Sequence, residues 1–189
     1  MSSDAAAEVV AVTLAAPPTL AAGRLVCVDG PAGSGKTTLA GLLAQGFGAR
    51  TTGVLHMDDV YDGWAGLTSG MTTMASVVDA LRDGRPGSYR RYDWHAGTWA
   101  EQHVVAPADV LVVEGVGSGA SAYDDAITCL VWVEAPADVR LRRGLERDGE
   151  TAREEWLAWR DREEAMFARE RTRARADVVV DGQTGRVRK

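Results

Sequence analysis

The sequence predicts a three-layer α/β fold built on a five-stranded parallel sheet. Five short apolar runs have the length and composition of buried strands: 24–29, 53–57, 109–114, 129–134 and 178–180. Leu39, Leu42, Leu43 and Phe47 recur at helical spacing after the first run, and Pro136 after the fourth run suits the first turn of another helix. Strands that alternate with helices indicate a parallel sheet covered by helices.

The length and composition of the chain indicate its domain organisation. With 189 residues, of which 46% are hydrophobic, the chain can form one domain with a full core. We assign residues 1–22 to an Ala-rich extension, either a short helix ended by Pro17-Pro18 or a disordered segment. Residues 23–189 form a single domain, and residues 60–105 form an insert that is expected to cover a substrate.

Charge, cysteine content and hydropathy exclude several classes of protein. A formal net charge of -6 disfavours a nucleic-acid partner, because such a partner usually binds to a basic face. Cys27 and Cys129 lie in predicted buried strands and are expected to be core residues, not a disulfide. Since no apolar run is long enough for a membrane span and no secretory signal is apparent, we expect a cytoplasmic protein with no membrane partner. Nothing in the pattern indicates an oligomeric state.

A glycine-rich loop follows the first predicted strand and reads G-P-A-G-S-G-K-T-T over residues 30–38. Gly30, Gly35, Lys36 and Thr37 match the phosphate-binding pattern G-x-x-x-x-G-K-[ST], called the P-loop. Glycines let successive backbone N–H groups face phosphate oxygens, Lys36 supplies a positive charge and Thr37 supplies a hydroxyl for Mg²⁺. Together with the predicted sheet, the loop indicates a P-loop NTPase fold. Eight residues are expected to bind the nucleotide: Gly30, Ala32, Gly33, Ser34, Gly35, Lys36, Thr37 and Thr38.

Two further predicted strands end near carboxylates, Asp58 and Glu114. Ligands of open parallel sheets bind beyond the carboxyl ends of the strands, so we expect both side chains close to the triphosphate. Asp58 could accept the proton of an acceptor hydroxyl or hold a Mg²⁺-bound water, and Glu114 could lie in the metal shell with Thr37. The structural alternatives are a helix cap for Asp58 and a solvated strand end for Glu114.

An arginine-rich helix follows Pro136. Arg140, Arg143 and Arg147 are three and four residues apart and therefore share one face, which suits a short lid over phosphates at residues 147–152. A solvated face with salt bridges is the alternative. A long charged helix, about 152–174, is expected to be mostly solvated. Four of its residues are expected to pack on the body: Trp156, Trp159, Met166 and Phe167.

Aromatic residues crowd the insert, which has one predicted helical piece around 74–81. They are Tyr61, Trp64, Tyr89, Tyr92, Trp94 and Trp99, with His95 among them. As a group they favour a ligand pocket for a planar or sugar-bearing molecule, although any one of them could equally pack the insert. His95 and His103 have no partner cluster, so no metal site is expected there.

These motifs resemble those of the uridine kinase-like branch of P-loop kinases, over residues 24–181. M-D-D-V-Y, at residues 57–61, is similar to that family's D-x-F-Y element, which implies that Asp58 is the base and that Tyr61 lines the acceptor pocket. Y-R-R-Y-D-W resembles the stretch that ends in Y-D-[FW], which implies a nucleoside contact for Tyr92. Trp94 and His95 adjoin that position.

The resemblance extends to the second half of the chain. V-E-G, with Glu114, is similar to the E-G after the family's third catalytic strand. Residues 137–148 resemble the helix that leads into the family's lid, which implies that Arg143 and Arg147 bind phosphate. This chain departs from the family pattern in its shorter lid, in His95 directly after Trp94 and in a W-x-x-W motif on the long helix.

The combined motifs predict an ATP- and Mg²⁺-dependent kinase that transfers the γ-phosphate to a hydroxyl of a small molecule, with a nucleoside as the first candidate. A nucleoside monophosphate, a sugar or another small alcohol remains open. Four basic residues of the insert leave room for a phosphorylated acceptor: Arg82, Arg85, Arg90 and Arg91. A nucleotide-binding regulatory protein without such an acceptor is a further alternative, although the N-K-x-D motif of GTPases is missing. Intact Lys36, Thr37, Asp58 and Glu114 argue against an inactive binding module.

Overall fold

A six-stranded sheet lies at the centre of the computed structural model, which describes residues 3–188. Its strands are Arg24–Asp29 (β1), Thr52–His56 (β2), Val110–Glu114 (β5), Cys129–Glu134 (β6), Val178–Asp181 (β7) and Val187–Arg188 (β8). Their order is β2-β5-β1-β6-β7-β8, and the first five are parallel. The predicted five-stranded parallel sheet is therefore confirmed. The short antiparallel β8 was not predicted, because two residues carry no strand pattern.

The central strands form because their apolar runs are buried on both faces of the sheet. All five residues of β5 and five of the six in β1 are buried. Since successive side chains point to opposite faces, Leu25 and Cys27 face one core cluster whereas Val26 and Val28 face the other. Both cysteines are free and buried, as expected.

Helices cover both faces of the sheet and complete three layers. They are Ser3–Ala15 (α1), Lys36–Gly46 (α2), Leu67–Arg82 (α3), Ala137–Asp148 (α4), Arg153–Glu170 (α5) and Thr172–Arg175 (α6). Leu39 and Leu43 of α2 pack in one cluster with Val9 of α1, whereas α3 and α5 contribute to the other. Among the described residues, no helix is both long and apolar enough to cross a membrane.

Within the N-terminal extension, residues Ser3–Ala15 form a helix, one of the two predicted alternatives. The Arg24 guanidinium donates hydrogen bonds to the carbonyl oxygens of Thr13 and Ala16, both at 3.1 Å, and so joins the end of α1 to the start of β1. Two apolar residues of α1, Ala5 and Val9, are fully buried. The helix therefore packs as part of the same body as the sheet.

The insert contains more regular structure than its sequence indicated. Its helix α3 begins at Leu67, several residues before the predicted piece. Gly87–Asp93 (β3) and Thr98–Val105 (β4) then form a separate antiparallel hairpin, although the sequence analysis assigned no strand there. Mixed charged and aromatic side chains obscured the strand pattern, because both faces of this hairpin carry polar residues.

The predicted short lid, 147–152, is a turn between two helices, and the predicted long helix after it is divided at Arg171. α4 ends at Asp148, and Gly149 with one 3₁₀ turn, Glu150–Ala152, leads into α5. α5 stops at Glu170 because Arg171 adopts a left-handed conformation, with φ of 53°, before the short α6. The prediction of a single helix over 152–174 is therefore wrong at its C-terminal end.

Candidate active site

The P-loop connects β1 to α2 and turns sharply at its glycines. Gly30 has φ of 139°, and a Cβ there would lie 2.1 Å from the Val133 carbonyl oxygen. Gly35, immediately before α2, has φ of 106°. A side chain larger than a hydrogen atom does not fit at these two positions. Because both are glycines, the loop can curl above the end of β1 with the N-terminus of α2 facing inward.

The Lys36 ammonium lies inside the curl of the P-loop. Its Nζ donates hydrogen bonds to the carbonyl oxygens of Gly30 at 2.8 Å and Pro31 at 3.0 Å, and the residue is buried. A positive charge held among the loop's backbone groups suits the phosphates that such a loop cradles.

Thr37, Glu114 and His56 form one hydrogen-bonded chain at the carboxyl ends of β2 and β5. The Thr37 hydroxyl donates to Glu114 Oε1 at 3.0 Å, and His56 Nδ1 lies 2.6 Å from the same oxygen. The hydrogen bond to Glu114 raises the pKa of His56. His56 was not among the predicted site residues, although its place near the end of the predicted strand 53–57 was an available signal. In the folded sheet it is in register with Glu114.

Asp58 stands in the 3₁₀ turn Met57–Asp59 that follows β2, and its side chain opens into a cavity. Enclosure by the surrounding protein and the nearby charge of Glu114 raise the pKa of its carboxyl. The Trp94 indole Nε1 donates to the Asp58 carbonyl oxygen at 2.9 Å, which brings the hairpin next to this turn. The carboxylate is therefore placed between the P-loop and the insert.

The cavity has a volume of about 680 Å³ and runs from the P-loop to the aromatic residues. Several predicted site residues line it: Ala32, Gly33, Gly35, Lys36, Thr37, Thr38, Asp58, Tyr61, Trp94, His95, Glu114, Arg143 and Arg147. Trp64, Trp156 and Trp159 complete its aromatic end. The predicted residues from the P-loop, the strand ends, the arginine helix and the insert thus meet around one space.

Of the two tyrosines predicted at the acceptor site, Tyr61 lines the cavity and Tyr92 does not. The Tyr61 ring lines the cavity, but its hydroxyl is buried and donates to the Val116 carbonyl oxygen at 2.6 Å. Tyr92 is not among the residues that line the cavity. Its ring packs edge-on against Trp94 and Trp99, with centroids 5.6 Å and 5.3 Å apart. Tyr92 therefore packs against Trp94, which lines the cavity, without lining the cavity itself.

The three arginines of α4 have separate contacts. Arg143 donates to the carbonyl oxygens of Gly33 at 3.1 Å and Gly182 at 3.3 Å, so it links the P-loop to the loop after β7. Arg147 pairs with Asp148 at 2.7 Å, and its guanidinium lies 5.8 Å from the centre of the Trp156 ring. Arg140 instead forms an ion pair with Glu163 at 2.9 Å. Arg143 and Arg147 therefore face the cavity, whereas Arg140 belongs to its support.

Two buried carboxylates that support the P-loop escaped the sequence analysis. Asp29, at the end of β1, accepts hydrogen bonds from the N–H groups of Gly30, Gly117 and Gly119 at 2.7–2.9 Å. Burial raises its pKa to about 6. Glu163 lies on the buried face of α5, between Trp159 and Met166. A carboxylate at helical spacing within an apolar face was the signal that could have identified it.

The residues present fit a Mg²⁺ ion bound together with a triphosphate. Thr37, Asp58 and Glu114 present oxygen ligands at one edge of the cavity. Within residues 3–188, no group of three or more His, Cys, Asp or Glu could hold a metal ion by itself. Mg²⁺ is usually bound by one or two carboxylates and by substrate phosphates, not by an all-protein cage.

Comparisons with known proteins give a family and a fold. A family model described as an AAA domain matches residues 26–169. A comparison with curated proteins found no match.

Two solved structures are similar over most of the chain. One, a "Possible Uridine Kinase" from Bacillus stearothermophilus, has a TM-score of 0.67 and 21% identity, with 93% of this chain and 97% of that chain covered. The other, from Silicibacter sp. TM1040, is provisionally described as a fructose transport system kinase. It has a TM-score of 0.60 and 20% identity, over 85% of this chain and 94% of that one. At these identities the likeness shows the fold, which is that of P-loop kinases.

Proposed function

This chain belongs to the AAA domain family of P-loop proteins, and from that membership we propose that it is an ATP- and Mg²⁺-dependent kinase with a small alcohol as acceptor. The observation that carries the proposal is the position of Asp58. Its carboxylate opens into the same cavity as Lys36, Thr37 and Glu114, so a base faces the phosphate-binding groups across a space large enough for an acceptor.

The reaction is a transfer of the γ-phosphoryl group to the acceptor oxygen. Asp58 orients the hydroxyl and accepts its proton while a new phosphorus–oxygen bond forms and the bond to the β-phosphate oxygen breaks. Lys36, Arg143 and Arg147 stabilise the negative charge on the transferred group. A Mg²⁺ ion held by Thr37 and Glu114 with the nucleotide would neutralise further phosphate charge.

A phosphorylated acceptor gains no support from the insert. Arg82 pairs with Asp125, Arg85 with Asp83 and Arg91 with Glu101. Arg90 donates to backbone carbonyl oxygens of β4. None of these four arginines lines the cavity, so we propose an acceptor without a phosphate group.

Acceptor-dependent release of ADP tests this function. Purified protein with Mg²⁺ and ATP should release ADP faster when a suitable alcohol is added, and the phosphorylated alcohol should appear in equal amount. The Lys36→Ala variant is the control, because it removes the charge within the P-loop. If no nucleoside, sugar or amino alcohol raised ADP release above the level of that variant, the kinase function would be rejected.

A further inference from the structure

Five aromatic side chains form a wall at the acceptor end of the cavity. Trp64 lies at its centre, with ring centroids 5.5 Å from Trp94, 6.3 Å from Trp156 and 6.1 Å from Trp159, all edge-on. Tyr61 joins the wall 5.0 Å from Trp159. Indole rings attract both apolar surface and positive charge, because their faces carry negative electrostatic potential.

The wall has few groups that could read a nucleobase or a sugar by hydrogen bonds. The sequence contains no asparagine, and no glutamine is among the residues that line the cavity. Thr37 and Thr38 belong to the P-loop end. Arg147 and Asp148 bind each other. Selection of a nucleobase or a polyhydroxylated sugar depends on several placed polar groups. Outside the P-loop, the described lining offers the exposed His95 but no free amide or hydroxyl side chain to act with it, since the Tyr61 hydroxyl binds Val116.

The charges near the wall favour a cation. Within residues 3–188 the Asp58 carboxylate has no hydrogen bond or ion pair, and it opens into the cavity beside Trp94. Two cationic side chains of the lining, Lys36 and Arg143, lie at the P-loop end and bind P-loop carbonyl oxygens, where a triphosphate would meet their charge. The Arg147 guanidinium lies over Trp156 and is paired with Asp148, so the rings left for a second cation are those of Trp64, Trp94 and Trp159.

We propose that the acceptor is an alcohol that carries a positively charged nitrogen, such as an amino alcohol or an amino sugar. This inference rests on the proposed kinase function and names its substrate class. The nitrogen lies against the indole rings, and the hydroxyl lies next to Asp58. The hydroxyl oxygen forms a bond to the γ-phosphorus, ADP leaves, the hydroxyl proton passes to Asp58, and the charged nitrogen is unchanged.

Matched pairs of alcohols test the charge directly. Choline and 3,3-dimethyl-1-butanol have nearly the same shape, but the trimethylated atom is a charged nitrogen in choline and a neutral carbon in the other alcohol. Glucosamine differs from glucose in one amino group, which replaces a hydroxyl. We expect kcat/KM to be at least about tenfold higher for the cationic member of one pair or both. Equal or better turnover of the neutral member in both pairs, or a preference for uridine over both cations, would overturn the inference.

The same assay separates this inference from the kinase function. If neutral alcohols or nucleosides are phosphorylated and the cationic alcohols are not, the function stands and the inference is wrong. If no alcohol of any kind raises ADP release, the kinase function is wrong, and the inference is rejected with it.

Variants of two tryptophans on the β3–β4 hairpin provide a second test. Trp94 lines the cavity and is 39% exposed, whereas Trp99 is not among the lining residues. Trp94→Leu also removes the Nε1 donor to the Asp58 carbonyl oxygen, so both alcohols should lose turnover. The value of kcat/KM for the better cationic alcohol should fall about tenfold more than that of its neutral partner, because only the cation loses its attraction to the indole ring. Trp94→Phe should lie between, and Trp99→Leu should change neither value. An equal loss for both members of the pair would contradict the proposal.

Discussion

Glu163 of α5 accepts a hydrogen bond from the backbone N–H of Ala32 in the P-loop, with 2.8 Å between Oε2 and the amide nitrogen. Its other carboxylate oxygen pairs with Arg140 of α4, and the residue is 1% exposed. A buried carboxylate with two donors is fixed in position, because a different orientation would leave a charge without a partner. The Glu163 side chain thus connects α4 and α5 to the phosphate-binding loop.

Glu163→Ala should destabilise the protein by about 3 kcal/mol, because Arg140 would keep a buried charge without its partner. The Ala32 N–H would also lose its acceptor, so affinity for ATP should fall as the P-loop becomes less ordered. Urea denaturation measures the first effect, and a titration with a fluorescent ATP analogue measures the second.

Glu164→Ala is the matched control for that variant. Glu164 adjoins Glu163 on α5, but it is exposed, so its removal should change the free energy of unfolding by no more than about 0.5 kcal/mol. Equal denaturation midpoints for the two variants would show that the bond between Glu163 and the P-loop contributes nothing to stability.

Asp58→Asn should lower acceptor-dependent turnover about 10²- to 10⁴-fold, because an amide orients a hydroxyl but does not accept its proton. ATP affinity should change little, since the P-loop is untouched. Asp59→Asn makes the same substitution one residue later, where the carboxylate lies near the Tyr89 hydroxyl and does not line the cavity. Its turnover should remain close to that of the wild type. Similar losses in the two variants would remove Asp58 as the specific base.

Asp29 should make stability depend on pH in a defined direction. Its pKa is about 6 in the folded chain and near 4 in the unfolded chain, so the folded state binds the extra proton between these values. Its contribution to the free energy of unfolding is therefore largest below about pH 4. It decreases by on the order of 3 kcal/mol as the pH rises through about 6.

Asp29→Asn isolates this effect because asparagine does not titrate. The difference in the free energy of unfolding, wild type minus variant, should fall as the pH rises from about 4 to about 6 and should level off above that range. Urea denaturation at a series of pH values measures it. A difference that stays constant with pH would show that Asp29 has the same pKa in both states.

Much of the fold could be predicted because its signals are local. The apolar run of β1, the spacing of Gly30, Gly35 and Lys36, and the carboxylate at the end of β5 each lie within a few residues of sequence. The same patterns put Asp58 near the P-loop, since the carboxyl ends of parallel strands share one edge of the sheet.

The missed features depend on contacts between distant parts of the chain. Glu163 meets Ala32 across 131 residues, and Asp29 meets Gly119 across 90 residues. Tyr92 was expected to contact substrate but lies behind Trp94, because the hairpin geometry decides which aromatic ring reaches the cavity. The aromatic composition of the insert indicated a pocket. It could not show which rings line the cavity and which pack against those rings.

The contact between Gly144 of α4 and Trp156 of α5 sets the position of one wall of the cavity. A Cβ at residue 144 would lie 2.3 Å from the Trp156 ring. Gly144→Ala should therefore cost about 1–3 kcal/mol of stability and lower acceptor turnover, because the ring must move.

Gly41 of α2 is the matched control, since nothing lies within 4 Å of a Cβ there. Gly41→Ala should stabilise the protein by about 0.5–1 kcal/mol and leave turnover unchanged. Denaturation and ADP release, measured on both variants, would contradict this packing if Gly144→Ala behaved like Gly41→Ala.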